Sequence, residues 1–309
     1  MTTQVFVDGA AGTTGLEIVA RLEAHPEFEP LVLDEAHRKD VNARREALND
    51  TPFAVLCLPD DAAREAVALV DPASKTRIVD ASSAHRVADG WTYGFPEIIG
   101  RDRIAQAARV GNPGCYPTGF LGLVAPLVRA GLLAADWPLT VNAVSGFSGG
   151  GKALIERFEK EPDIAFRAYG LTLDHKHLPE MQVHAGLKHS VLFAPSVVPA
   201  FRGMLVEVPL HLGAMATEPH ADALRDALAA FYQDSPVVKV DRDTDQGELL
   251  LHRNAAPADG MTLRVFGNEG GWNARLIAVL DNLGKGASGA AIQNLNLMAG
   301  FAETASLRL

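Results

Sequence analysis

Val5-Phe6-Val7-Asp8-Gly9-Ala10-Ala11-Gly12-Thr13-Thr14-Gly15, running on into Leu16-Glu17-Ile18-Val19-Ala20-Arg21-Leu22, is the stretch that decides the fold. The apolar triplet makes a short strand and the glycines a loop. Leu16, Val19, Ala20 and Leu22 then fall on one side of a helix. A loop of this kind lets backbone approach a pyrophosphate, whose charge rests on the N-terminus of the helix that follows. The spacing is G-x-x-G-x-x-G rather than G-x-G-x-x-G. The strand before it and the helix after it therefore carry the inference, and a plain β-α turn is the alternative. Gly9, Gly12, Thr13, Thr14 and Gly15 are the candidate cofactor contacts.

The residues that follow extend the same alternation. Leu31-Val32-Leu33 reads as a second strand, with Asp34 just past it, where an acidic side chain holds the ribose 2′-hydroxyl of NAD. Arg38 and Lys39 come soon after and suit a 2′-phosphate instead, so the local chemistry is divided between NAD and NADP. Ala54 to Leu58 is apolar throughout, as a buried parallel strand requires. Pro59-Asp60-Asp61 stops it and caps a helix over 62–70. Ile78-Val79-Asp80 is another strand, leading into Ala81-Ser82-Ser83-Ala84-His85-Arg86. Polar residues just past a strand's C-terminal end are where open α/β sheets bind ligands. Ser82 and Ser83 are accordingly cofactor candidates, and Arg86 a candidate for substrate or phosphate. The pattern predicts an α/β fold with a doubly wound parallel sheet.

Composition narrows the class. A chain of 309 residues suits two domains, and 48% hydrophobic with 21% charged residues is ordinary for a globular protein. A net charge of −10 argues against nucleic acid as a partner. Two cysteines in unlike contexts make no disulfide framework, and a reducing compartment is expected. Met1-Thr2-Thr3-Gln4 leads straight into a strand without a basic leader, and no apolar run approaches the ~18 residues of a membrane span. The expectation is a cytoplasmic protein that meets no membrane.

Chemistry concentrates in Gly111-Asn112-Pro113-Gly114-Cys115-Tyr116-Pro117-Thr118-Gly119. Pro117 is tolerable only in a helix's first turn, and the apolar run Phe120 to Leu133 follows, with Gly131 where a helix would end. Cys115 therefore falls at or just before a helix N-terminus, where free N–H groups and the macrodipole favour a thiolate and hold a developing oxyanion. The alternative is a small buried hydrophobe, which is how Cys57 reads inside Ala54-Val55-Leu56-Cys57-Leu58.

Downstream, Thr140 to Val144 alternates as a strand and feeds Ser145-Gly146-Phe147-Ser148-Gly149-Gly150-Gly151-Lys152. Ala153 stands where a P-loop needs a hydroxyl, which argues against one. His175 and His177, in Asp174-His175-Lys176-His177-Leu178-Pro179-Glu180, are two apart and share a face if the segment is extended. With Cys115 they number enough ligands for zinc on paper. No C-x-x-C or H-E-x-x-H spacing supports it, so metal is set aside in favour of a general acid and base. The pattern does not choose between the two. Short strands with polar turns from Val191 onward predict a mostly antiparallel second sheet. Arg202, fixed between two of them, suits a bidentate carboxylate clamp. A last helix over 290–301 is expected to return to the first domain. The domains are then 1–111 with 290–309, for dinucleotide, and 112–289, for catalysis and oligomerisation.

The glycine loop, D-A-S-S-x-H-R, G-N-P-G-C-Y-P-T-G, H-x-H-x-P-E and the late glycines Gly284, Gly286 and Gly289, in that order, make this chain resemble the N-acetyl-gamma-glutamyl-phosphate reductase family. Those enzymes are relatives of aspartate-semialdehyde dehydrogenase, and the length is similar to the shorter, type 2 form. The resemblance implies a Rossmann-like NADP domain beside an α+β catalytic and dimerisation domain. It also implies a homodimer or homotetramer, and a thioester mechanism on Cys115 with one of His175 and His177 as acid-base. It places the Ser145-to-Gly151 loop, with Ser145 and Gly149, near nicotinamide and substrate; Asn112, Lys152, Arg86 and Arg202 are the further candidates for contact with an acyl-phosphate substrate. The rivals are an aspartyl- or aminoadipyl-phosphate reductase of the same superfamily and a dinucleotide-binding sensor without chemistry.

Overall fold

Strand β1 (Thr3–Asp8) turns Val5 and Val7 to one face of a sheet and Phe6 to the other, and the computed structural model, which describes residues 2–309, buries all three. Around it run α1 (Thr13–Glu23), β2 (Phe28–Leu31), α2 (Val41–Asp50), β3 (Phe53–Leu56), α3 (Asp60–Ala68), β4 (Arg77–Asp80), β5 (Thr92–Tyr93), α4 (Pro96–Ile99), α5 (Arg101–Gln106) and β6 (Arg109–Gly111). The strands form one sheet in the order β2-β1-β3-β4-β6-β5, every pairing parallel. The order reverses between β1 and β3, so the glycine loop after β1 sits where a doubly wound sheet opens a crevice. Val5, Val7, Ile18 and Leu22 pack on one face, while Phe6, Leu48, Ala63 and Ala66 pack on the other.

Two local expectations are corrected. The second strand is Phe28–Leu31 and not Leu31–Leu33. Pro30 lowers its strand propensity, but β2 is an edge strand, where a missing N–H is tolerated. Helix α1 buries Ile18 and Leu22 and leaves Leu16 54% exposed, because Leu16 faces the cleft beside the glycine loop and not the core.

The remaining elements are α6 (Cys115–Arg129), β7 (Thr140–Gly146), α7 (Gly151–Lys160), β8 (Arg167–Ala168), α8 (Leu178–Ala185), β9 (Leu192–Val198), β10 (Met204–His211), α9 (Ala221–Phe231), β11 (Val238–Val240), β12 (Met261–Gly267), β13 (Asn273–Leu280) and α10 (Gly289–Ala299). Their sheet runs β11-β12-β13-β10-β7-β9-β8. It is mixed: β7 with β9 and β11 with β12 are parallel, and the other pairings antiparallel. Helix α6 is buried along most of its length, its Gly119 placed so that a Cβ would press on Val206 of β10. Pro126, inside α6, has no N–H for the Gly122 carbonyl, and the Tyr232 hydroxyl donates to that oxygen instead (2.9 Å).

Two compact units result: one holds residues up to Gly114 together with Ala287–Leu307, the other Cys115–Gly286 with Arg308–Leu309. Helix α10 therefore belongs with the parallel sheet, where Ala291, Ile292, Leu295 and Met298 join the cluster around Val5.

Candidate active site

In the first unit the glycine loop is set by close backbone approach. Gly9 has φ +86°, and a Cβ there would run into the Cys57 carbonyl; one on Gly15 would run into the Gly9 carbonyl. Gly12 is the N-cap of α1, makes no side-chain cap, and has no acidic residue in the turn after it. That turn keeps its N–H groups and dipole for an anion. The Thr13 hydroxyl oxygen is buried and has no hydrogen-bond partner among the described residues, and Thr14 is half-buried beside it. A cleft of about 590 Å³ opens here, lined by Gly9, Ala10 and Ala11 of the loop, Leu16, Val32, the cations Arg38, Lys39 and Arg44, and the acids Asp8 and Glu35, the last paired with Arg38. Arg44 donates twice to Asp8 (2.8 and 3.1 Å). Burial raises the Asp8 carboxyl above its usual range, and the Arg44 bonds oppose that rise. Asp34 is exposed and accepts from the His37 backbone and ring (2.9 and 2.7 Å), bonds that hold its carboxyl below the usual range. It does not line the cleft, whereas Arg38 and Lys39 do. The residues present thus fit a dinucleotide with a 2′-phosphate.

The D-A-S-S-A-H-R segment is organised by Asp80, at the end of β4 and fully buried. Asp80 accepts from Ser82 N (2.9 Å), Ser82 Oγ (2.7 Å) and His85 Nδ1 (2.6 Å), and the His85 ring stacks on Trp91. Ser83 donates through N and Oγ to Asp60 at the start of α3. Arg86 donates to the carbonyls of Asn112 (2.9 Å) and Ala81 (3.3 Å). In these contacts the two serines and Arg86 shape their loop and the turn before Cys115. Asn112 is held further: its N–H donates to Asp80 O (2.7 Å), its Nδ2 donates to Ala287 O (3.0 Å), and its Oδ1 accepts from Asn294 (3.2 Å).

In the second unit Cys115 is the first residue of α6, a 15-residue helix with no acid in its first turn and Arg129 in its last. Pro117 sits in that first turn, where its missing N–H costs nothing. Gly286 lets the chain pass close by, since a Cβ on it would stand 2.8 Å from the Cys115 Cβ. The Tyr116 hydroxyl donates to Ser196 O (3.1 Å). Burial, the neighbouring Tyr169 and the Cys115 charge all push that hydroxyl up. Burial likewise pushes the Tyr169 hydroxyl up to about 12, against a hydrogen bond with Tyr116 and with the Cys115 charge adding to the rise. Both phenols stay protonated beside the thiol.

The histidines lie on a turn, not an extended segment, and the fold brings their rings to 4.7 Å nonetheless. His175 is half-buried, flanked by Tyr116, Tyr169 and Phe193 at 6.3, 5.7 and 5.1 Å, and its Nδ1 accepts from His177 N (3.2 Å). Accepting there fixes the neutral tautomer with the proton on Nε2. His177 is buried at the N-cap of α8, 6.0 Å from the Tyr116 ring, with Nε2 4.0 Å from the Glu180 carboxylate.

The other expected residues are more scattered. Ser145, buried at the end of β7, donates to Gly146 O (3.0 Å), and Gly149 follows on a 3-10 turn beside Asn282. Lys152 is exposed on the first turn of α7 and makes no ion pair among the described residues. Arg202 is buried with Asp281, to which Nη1 donates (2.9 Å), so the carboxylate this arginine clamps is its own chain's. Tyr116, Tyr169 and Glu180 went unassigned in the sequence; only adjacency to Cys115 and the three-residue step from His177 pointed to the first and last. Among the described residues no group of three or more His, Cys, Asp and Glu gathers closely enough to hold a metal.

With this geometry in place, the comparisons with known proteins are specific. Residues 4–107 match the family model for the semialdehyde dehydrogenase NAD binding domain, and residues 115–282 that for its dimerisation domain. N-acetyl-gamma-glutamyl-phosphate reductase 2 of Nostoc sp. is 46% identical across 98% of this chain and 99% of its own length. The chain belongs to the N-acetyl-gamma-glutamyl-phosphate reductase family. The family's Rhizobium meliloti member is also 46% identical, over 96% of this chain and 99% of its own. Among solved structures, aspartate semialdehyde dehydrogenase II from Vibrio cholerae shares the fold, with a TM-score of 0.70 at 18% identity over 97% of this chain and 99% of that one.

Proposed function

We propose that this chain reduces N-acetyl-gamma-glutamyl phosphate to N-acetylglutamate semialdehyde with release of phosphate, a step of arginine biosynthesis, through a thioester on Cys115. The observation that supports the mechanism is a thiol on the first residue of an acid-free helix start, beside Tyr116 and Tyr169, with the rings of His175 and His177 against Tyr116. Gly9, Gly12, Thr13, Thr14 and Gly15 would hold the pyrophosphate, and Arg38 and Lys39, which line the cleft, would meet the 2′-phosphate. NADPH bound there supplies the hydride that takes the thioester to the aldehyde level.

Cys115 Sγ attacks the acyl carbon; the C–S bond forms, the C–O bond to phosphorus breaks, and phosphate leaves. His177 is the acid-base residue. It takes the thiol proton before attack and returns one to the developing oxygen after reduction; the C–S bond then breaks, the carbonyl re-forms as that proton passes to sulfur, and the aldehyde leaves. His175 is held neutral by its bond from His177 N, and serves as an Nε2–H donor toward substrate oxygen. First-turn N–H groups of α6 receive the oxyanion. Arg86 and Asn112 hold the turn that ends at Gly114. The pairing of Arg202 with Asp281 supports a structural part for it as well.

Neither cysteine is in a disulfide, and no helix among the described residues is long and apolar enough to cross a membrane. We place the protein in the cytoplasm as a homo-oligomer joined through the unit matched by the dimerisation-domain model. The test is the reverse reaction: N-acetylglutamate semialdehyde with NADP, with and without phosphate or arsenate. Turnover is expected only with one of them, and none from Cys115→Ser. Turnover without either anion refutes acyl-phosphate chemistry, and faster turnover of aspartate or aminoadipate semialdehyde refutes the substrate.

A further inference from the structure

Glu180 is almost fully buried, 1% exposed, on the first turn of α8. A carboxylate withdrawn from water requires compensation, by hydrogen bonds or by a nearby positive charge. The His177 ring is 8% exposed, and its Nε2 stands 4.0 Å from Glu180 Oε1, an ion-pair separation longer than a hydrogen bond. The other titratable groups around the ring are His175 on the same turn, Tyr116 at the start of α6, and Tyr169 against Tyr116 and His175. Asp174 and Lys176, flanking His175, are exposed. Both phenols resist ionisation, and His175 already accepts on Nδ1, so protonating it breaks an existing bond. An imidazolium in this cluster is therefore favoured at His177, beside the carboxylate.

We propose that Glu180 is a positioning residue, its buried carboxylate holding the His177 imidazolium and thereby setting how much of Cys115 stands as thiolate. This rests on the assignment of Cys115 and His177 above. The step is a proton transfer: the Sγ–H bond of Cys115 breaks, a ring N–H of His177 forms, and the imidazolium charge is balanced by Glu180. Its simpler alternative is helix capping. His177 is the N-cap and Glu180 the third helical residue, the place of a capping-box glutamate. Glutamine serves that box as well as glutamate, so Glu180→Gln keeps the cap and removes only the charge.

The test measures the rate of Cys115 alkylation by iodoacetamide against pH, by mass spectrometry, in wild type, Glu180→Gln, His177→Gln and the double variant. Far-UV circular dichroism confirms folding. An opposite charge at this range moves a titration by one to three units, so Glu180→Gln is expected to slow alkylation at pH 7 about tenfold or more and to move the profile upward by about one unit or more. Because Glu180 acts through His177, it should add nothing to His177→Gln. The kcat is expected to fall with alkylation, while the KM for NADPH stays. A wild-type profile in Glu180→Gln overturns the proposal, as does an equal loss in the His177→Gln background. Should Glu180→Gln fail to fold, Glu180→Asp carries the test. It withdraws the charge by one methylene and is expected to shift the profile upward; no shift overturns the proposal. Alkylation needs no substrate, so an enzyme inactive on acyl phosphate, yet with a profile that depends on Glu180, refutes the function and leaves this inference standing.

Discussion

Tyr232→Phe removes one oxygen from a buried side chain and tests why α6 tolerates a proline. Pro126 cannot donate to the Gly122 carbonyl four residues back, and the Tyr232 hydroxyl occupies that acceptor at 2.9 Å. Gly122 and Tyr232 are both buried, so water does not replace the lost donor. A buried carbonyl left without a partner costs about 1–3 kcal/mol. In a Pro126→Ala background the new alanine N–H meets Gly122 O as in any helix, and the same Tyr232→Phe change should then cost under about 0.5 kcal/mol. The coupling in a double-mutant cycle is therefore about 1–2 kcal/mol. Urea unfolding of the four proteins, followed by tryptophan fluorescence with m held common, measures it. Equal costs of Tyr232→Phe in both backgrounds would refute the reasoning, since the hydroxyl would then be stabilising something other than the gap left by the proline.

Three further outcomes follow from the site. Gly9→Ala drives a Cβ into the Cys57 carbonyl at a left-handed φ, and should abolish NADPH binding by fluorescence titration, or soluble expression altogether. Replacing Arg38 and Lys39 together by alanine should raise the KM for NADPH at least tenfold and leave that for NADH within about twofold, because only the first carries a 2′-phosphate. At high pH the buried phenols destabilise the fold. Tyr169 is raised from 10.0 to about 12 and Tyr116 is raised too, so above pH 10 the unfolded chain loses protons that the folded one keeps. Stability should fall by about 1.4 kcal/mol per pH unit for each tyrosine, and Tyr169→Phe should remove about half of that slope in alkaline melts.

The parallel sheet and the helix start at Cys115 were legible because they depend on local chemistry: a glycine loop between a strand and a helix, and a cysteine ahead of a proline that only a first helical turn accepts. What the sequence hid depends on partners distant along the chain. Arg202 read as an open clamp because Asp281, which it grips, lies 79 residues on. The two serines after β4 read as ligand contacts, although Asp60 and Asp80 take their hydrogens. Pro30 hid an edge strand, and Leu16 looked like core because spacing alone does not distinguish a face packed on a sheet from one lining a cleft. Tyr169 had no signal at all; only folding carries it to Cys115.

The turn that delivers Cys115 has a further property, which concerns time rather than space. Asn112 is tied to Ala287, 175 residues later, and to Asn294 on α10. A ribosome makes residue 112 long before either, so these two bonds of Asn112 form only after the final helix is synthesised and docks. A truncated product that lacks α10 therefore carries Asn112 without these two anchors.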